Sequence, residues 1–241
     1  MKKDGKYFFA PDYEFSKLLL TDDPIEIAEV YRQRILGYYI NPAKLLIKED
    51  PSNVFAVGIL CFLAIDAVAE LESGNEDSGK RFKDWLKDNI VEFNNLEEGY
   101  LGRIYGQFRS GLVHHARITH GGYFTYEIDG VIEIAKTGII AINPEKLIIR
   151  VERAFNDFIN QEIKIQNNAE NLRDLIIETF QIDLELLEKQ IKCDNPDCTS
   201  GRDANTEEDC KYCDGTGIDP DHTYERELEM AEDAYLAGHL E

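Results

Sequence analysis

Val54-Phe55-Ala56-Val57-Gly58-Ile59-Leu60-Cys61-Phe62-Leu63-Ala64-Ile65-Asp66-Ala67-Val68-Ala69 is apolar on every helical face except at Asp66. At 3.6 residues per turn such a run has no polar stripe to offer to water, so it predicts the central helix of a bundle. Ser52 stands ahead of it as a cap and Ser73-Gly74 closes it. The uninterrupted apolar part, Val54 to Ile65, is shorter than a bilayer crossing requires, so no membrane span is expected. Asp66 must find a cation or hydrogen-bond donors wherever it is buried, because an unpaired carboxylate in apolar surroundings is costly.

Outward from this helix the pattern stays mostly helical. Asp22-Asp23-Pro24 reads as a helix start, followed by Ile25, Ile27, Ala28, Tyr31, Ile35 and Tyr38 at helical spacing, with a break or bend at Asn41-Pro42. Phe82, Trp85, Leu86 and Ile90 mark a helix over about 80–93, and another is expected over about 96–117. From Gly121 the period falls to two. Tyr123 to Ile128 and Val131 to Ile134 flank Asp129-Gly130, a hairpin signal, and Ile139 to Ile142 gives a third strand. Asn143-Pro144-Glu145 then opens a helix to about Ile163, and Leu172, Leu175, Ile176, Phe180, Leu184 and Leu187 mark one over about 169–192. The expected fold class is mainly α, a helical bundle with a small β-meander inserted at about 121–142. The expected domains are 1–192, a cysteine module at 193–217, and an acidic helical tail at 218–241.

A net charge of −21 and a pI near 4.6 argue against a broad nucleic-acid-binding surface. The distribution is uneven. From Tyr100 to Thr119 the charged side chains are Arg103, Arg109 and Arg117, with His114 and His115 beside them, while acids crowd the last third. At the N-terminus Lys2, Lys3 and Lys6 precede Tyr7-Phe8-Phe9-Ala10 and then Pro11, so no secretory apolar region develops and a cytoplasmic protein is expected.

Tyr105-Gly106-Gln107-Phe108-Arg109-Ser110-Gly111-Leu112-Val113-His114 places a permanently charged guanidinium and a titratable imidazole on one helical segment. A guanidinium binds phosphate through paired hydrogen bonds, and an imidazole exchanges a proton near neutrality, which together suit phosphodiester chemistry. On an ideal helix Arg109 and His114 lie about 140° apart, so they do not share a stripe. Arg109-x4-His114, near the end of a helix late in a bundle and after a central apolar helix, resembles the Arg-x(4–6)-His motif of the HEPN superfamily over roughly residues 20–165. That resemblance implies a metal-independent endoribonuclease, of the kind found among toxin and defence effectors. It further implies a homodimer in which two copies of the motif line one cleft, Gly111 permitting close approach of helices. Arg109 would stabilise charge on phosphorus and His114 would move a proton, with Ser110 donating to phosphate and Asp66 orienting the pair. Arg103, His115 and Arg117 stand as substrate-binding candidates. Ser110 departs from the Asn, Asp or His often found after the arginine in active members. The structural alternative is an Arg109–Asp66 pair that only holds the bundle together.

Cys193-x4-Cys198-x11-Cys210-x2-Cys213 has a spacing that brings four thiolates around one tetrahedral ion, and a structural Zn2+ is expected there. Cys210-Lys211-Tyr212-Cys213-Asp214-Gly215-Thr216-Gly217 resembles the Cys-x-x-Cys-x-Gly-x-Gly unit of the DnaJ-type zinc module, although the first half is spaced more widely. Three functional readings stay open: a HEPN-type ribonuclease acting on RNA, a non-catalytic HEPN-type dimer binding nucleotide or protein, and a zinc-knuckle adaptor. In the last two, the acidic C-terminal tail is the site for a protein partner.

Overall fold

The computed structural model describes residues 2–3, 6–18, 21–73, 77–115, 117–119, 121–185, 198–199 and 202–203. The chain divides into two compact units, Met1–Phe180 and Gln181–Glu241. The first is mainly α-helical with a small β-sheet inserted. It opens with β1 (Lys2–Lys3), β2 (Lys6–Ala10) and β3 (Tyr13–Glu14), an antiparallel sheet in that order, followed by the single turn α1 (Phe15–Leu18). Phe9 and Ala10 bring this sheet into the core, where the Phe9 ring meets Phe15 and Phe180 edge-on at 5.1 and 4.9 Å.

Helix α2 (Pro24–Ile35) starts as its sequence dictates: Asp23 caps it through a 2.9 Å hydrogen bond from Ile25 N, and Pro24 occupies the first turn. No break follows. The chain passes through a π-helical turn at Leu36–Ile40 into α3 (Asn41–Glu49), with Asn41 N bonded to Leu36 O. The cause is Pro42, whose missing N–H and bulky ring exclude ordinary α pairing with the preceding turn. A widened turn absorbs the mismatch, and the helical residues run on from Pro24 to Glu49.

Helix α4 (Val54–Ser73) is the centre of the unit, packed against α3, α5 (Ser78–Asn89) and α8 (Pro144–Glu162). Its entry is capped by Asp50, which accepts from Ser52 N across a 3₁₀ turn, Pro51–Asn53, and not by Ser52. Val57, Cys61, Phe62, Ala64, Ile65, Val68 and Ala69 are buried, whereas Ile59, Leu60 and Leu63 are half-buried and Phe55 is exposed. The helix runs on past Asp66. The stretch Pro51–Glu72 is by length and composition long and apolar enough to cross a membrane, and half of its apolar window is buried within this fold.

The expected β-meander is corrected. The inserted sheet has the order β4 (Gly122–Phe124), β6 (Ile140–Ile142), β5 (Ile132–Ile134), with β4 parallel to β6 and β5 antiparallel to it. Asp129-Gly130 therefore turns no hairpin. The tight turn lies between β5 and β6, where Gly138 at φ +81° supplies a left-handed position. The segment before β5 is instead held by Asn143, the cap of α8. Its Nδ2 donates to Tyr126 O and Ile128 O, its backbone N donates to Val131 O, and its Oδ1 accepts from Lys146 N. Lys146 Nζ adds bonds to Ile128 O and Asp129 O. These contacts satisfy the polar groups of a buried cap and engage the carbonyls of Tyr126, Ile128 and Asp129, while Thr125 N still donates to Ile142 O at the end of the β4–β6 pairing.

After α8 comes α9 (Gln166–Thr179), packed on α2. In the second unit the described residues are a helical segment at 181–185 and a two-stranded antiparallel ladder, β7 (Cys198–Thr199) and β8 (Arg202–Asp203).

An aromatic seam ties the sheet to the bundle. Phe62 stacks on Phe82 and on Phe108, each at 5.7 Å, and Phe124 meets Phe108 at 5.3 Å. Gly58 makes this possible, since a Cβ there would stand 2.1 Å from the Phe124 ring. That ring is wedged among Phe55, Phe62 and Phe108 and has nowhere to move. Gly58→Ala is expected to destabilise the protein by about 1–3 kcal/mol, read as a lower denaturant midpoint with unchanged slope. Cys61 is fully buried, its Sγ against Pro144 O at 3.2 Å, and burial pushes its thiol well above the ordinary value. Thiol-directed labelling followed by peptide mapping is expected to leave Cys61 unmodified in native protein and to modify it after denaturation.

Candidate functional site

The Arg/His segment begins as an ordinary helix, α6 (Glu98–Ile104), and widens at Tyr105–Ser110 into a second π-helical turn before closing as α7 (Gly111–His115). The helix expected over about 96–117 stands at Glu98–His115, with a widened turn where it bears Arg109. The returning chain fills the widened turn. Thr119 N donates to Gln107 O and Arg117 N donates to Gly111 O. A Cβ on Gly111 would stand 2.7 Å from Arg117 O, so this glycine admits the molecule's own backbone. The expectation that Gly111 serves approach of a second helix is corrected accordingly.

Burial of Phe108, against Phe62 and Phe124, fixes the rotation of the turn and turns Arg109 toward α4. There Arg109 Nη2 donates to Asp66 Oδ2 at 2.6 Å, joining positions 43 residues apart. The two side chains are 19% and 17% exposed, which makes the pair neither a solvated surface contact nor a sealed one. Burial alone would lower the arginine pKa; the hydrogen bond and charge of Asp66 outweigh it, so the guanidinium is held above its ordinary value. The pair uses one hydrogen bond where a fork could make two. Asp66 Oδ1 and Arg109 Nε are both buried without a hydrogen-bond partner. The guanidinium carbon also lies 5.7 Å from the Tyr105 ring centroid.

The other candidates are dispersed around this pair. Ser110 is half-buried at the end of the widened turn. His115 ends α7 and is exposed, as is Arg117 in the bend that follows. The backbone of His114 lies in α7, and its side chain lies outside the described residues. Arg103 is engaged elsewhere. Its Nη2 donates to Gly138 O at 2.7 Å and its guanidinium lies 5.7 Å from the Tyr100 ring, so it braces the β5–β6 turn. The residue that sequence reasoning missed is Tyr105. It stood inside the quoted motif four positions before Arg109, a spacing that places two side chains on one helical face and was the available signal.

The expected structural zinc is corrected. Among the described residues no group of three or more His, Cys, Asp or Glu side chains could hold a metal ion. Cys193, Cys210 and Cys213 lie outside the described residues, and Cys198 is described only as backbone in β7. The zinc expectation is withdrawn with that finding. Cys61, the remaining cysteine, is a buried packing residue. No family model, curated protein or solved structure matches the chain significantly.

The energetic weight of the Asp66–Arg109 pair follows from its intermediate burial. Breaking a fully buried pair costs about 3–5 kcal/mol, and an exposed one about 0–1 kcal/mol. Asp66→Asn and Arg109→Ala are each expected to cost about 1–3 kcal/mol. A double-mutant cycle by chemical denaturation should return a coupling energy clearly above zero, and additive effects would show that the pair carries no stability.

Proposed function

We propose that this chain is an endoribonuclease of the HEPN type that cleaves RNA without a metal ion, acting as a homodimer. The observation that carries the reading is Arg109 on a widened helical turn, held from one side by Asp66 through a single hydrogen bond, with donors left over. The Arg-x4-His motif supports it by resemblance. In the reaction the ribose 2′-oxygen attacks the adjacent phosphorus while the bond from phosphorus to the 5′-oxygen breaks. His114 moves a proton to or from one of these oxygens, and Arg109 stabilises the charge that accumulates on the phosphoryl oxygens. Ser110 donates to a phosphate oxygen, Asp66 keeps the guanidinium oriented, and exposed His115 and Arg117 receive flanking phosphates. Arg103 is left out of this set, since its donor is engaged with Gly138. Such an enzyme would serve as a toxin or defence effector in the cytoplasm.

A second reading has its own observation in favour. Asp66 already neutralises Arg109 within the chain, as expected of a non-catalytic HEPN-type dimer that binds nucleotide or protein. In that reading residues 218–241, which lie outside the described residues, form an acidic segment for a protein partner. Incubation of the full chain with mixed-sequence RNA in excess EDTA separates the two. Cleavage to fragments with 2′,3′-cyclic phosphate ends is expected, falling by at least about 100-fold in Arg109→Ala and in His114→Ala with circular dichroism unchanged. Absence of cleavage by the native chain, or full activity in either variant, contradicts the enzymatic reading.

A further inference from the structure

We propose that Tyr105 is a positioning residue for Arg109, and that its hydroxyl contact with Ser78 couples the start of α5 to the setting of the guanidinium. This inference takes its functional consequence from the ribonuclease reading, while its geometric content stands apart from it. Three observations meet here. The Arg109 guanidinium carbon lies 5.7 Å from the Tyr105 ring centroid, within range of attraction between a cation and the electron-rich face of a ring. The Tyr105 hydroxyl lies 3.0 Å from Ser78 Oγ, so the ring is anchored at its far end to a different helix. Gly79 leaves room for it, because a Cβ there would stand 3.1 Å from Tyr105 Cε1.

The anchor matters because Asp66 alone does not fix the arginine. One hydrogen bond, Nη2 to Oδ2, constrains the tilt of the guanidinium plane less than a two-point fork would. Phe82, on the same helix as Ser78, packs against the Tyr105 ring at 5.5 Å and limits its tilt. Asp66 thus sets where the guanidinium is, and Tyr105 sets which way its plane faces. A planar cation that must meet phosphoryl oxygens in the transition state needs both constraints. Ser78 follows the Asp77 cap in the first turn of α5, so movement of that turn would be transmitted to the ring through the Ser78–Tyr105 contact.

The experiment uses the full chain with ¹⁵N-labelled arginine. The Nε–Hε resonance of Arg109 is assigned by its loss in Arg109→Lys. Nε is sealed from solvent without a hydrogen bond, so exchange of its proton reports whether the seat stays closed. Tyr105→Leu, which removes the ring, is expected to accelerate that exchange about tenfold or more, and Tyr105→Phe and Ser78→Ala about threefold. In RNA cleavage Tyr105→Leu is expected to lower kcat about tenfold with KM within about twofold, and Tyr105→Phe to keep most of the rate. Unchanged Hε exchange in folded Tyr105→Leu overturns the proposal. If Tyr105→Leu fails to fold, unchanged exchange in both Tyr105→Phe and Ser78→Ala overturns it. Accelerated exchange in a chain that cleaves no RNA upholds the positioning role and removes the ribonuclease reading instead.

Discussion

An aspartate in the middle of the most apolar helix of the chain is tolerated because an arginine from a distant helical turn reaches it. Without that partner Asp66 would be a largely buried, uncompensated carboxylate within α4, which runs on past it to Ser73. The arginine that reaches Asp66 stands in the wide Tyr105–Ser110 turn, whose Phe108 is buried in the core. One ion pair therefore ties the central helix to the segment that carries the Arg/His motif, and the aromatic seam through Phe62, Phe82, Phe108 and Phe124 packs both together.

Two widened turns show how the same local geometry arises from different causes. At Leu36–Ile40 the cause is covalent: Pro42 cannot take its place in an α ladder. At Tyr105–Ser110 the cause is tertiary, since Thr119 N returns to Gln107 O and Gly111 admits the backbone of residue 117. The first keeps a long helix continuous. The second gives the arginine turn a shape that depends on the loop behind it, so the setting of Arg109 is linked to the chain that follows the motif.

Much of the helical framework was legible because it rests on local chemistry. Asp23-Pro24 and Asn143-Pro144 mark helix starts by a capping carboxylate or amide and a proline in the first turn, and both stand where the sequence puts them. The apolar run from Val54 marks the core helix by composition alone. The Asp66–Arg109 pair was foreseeable as one of two readings, since a buried acid demands a cation. What local chemistry cannot reveal is competition between partners. Asp129-Gly130 is a sound hairpin signal, yet Asn143 and Lys146 capture the carbonyls of Tyr126, Ile128 and Asp129, and β4 pairs with β6 instead. Gly111 suggested contact between helices and serves a loop; Arg103 suggested phosphate and serves a carbonyl. The N-terminal sheet gave no signal, because β1 and β3 are two residues each. The cysteine spacing suggested a metal that the described residues do not hold.

The central claim is that Asp66 presents Arg109 to phosphate and does not merely consume its charge. Affinity of the full chain for a nucleoside vanadate, a mimic of pentacoordinate phosphorus, measured for the native chain and for folded Asp66→Asn, tests it most directly. Binding at least about tenfold weaker is predicted for the variant, because a freed guanidinium loses its orientation. Equal or tighter binding by Asp66→Asn would contradict the claim, for the carboxylate would then be a rival of phosphate and the pair an element of the core alone.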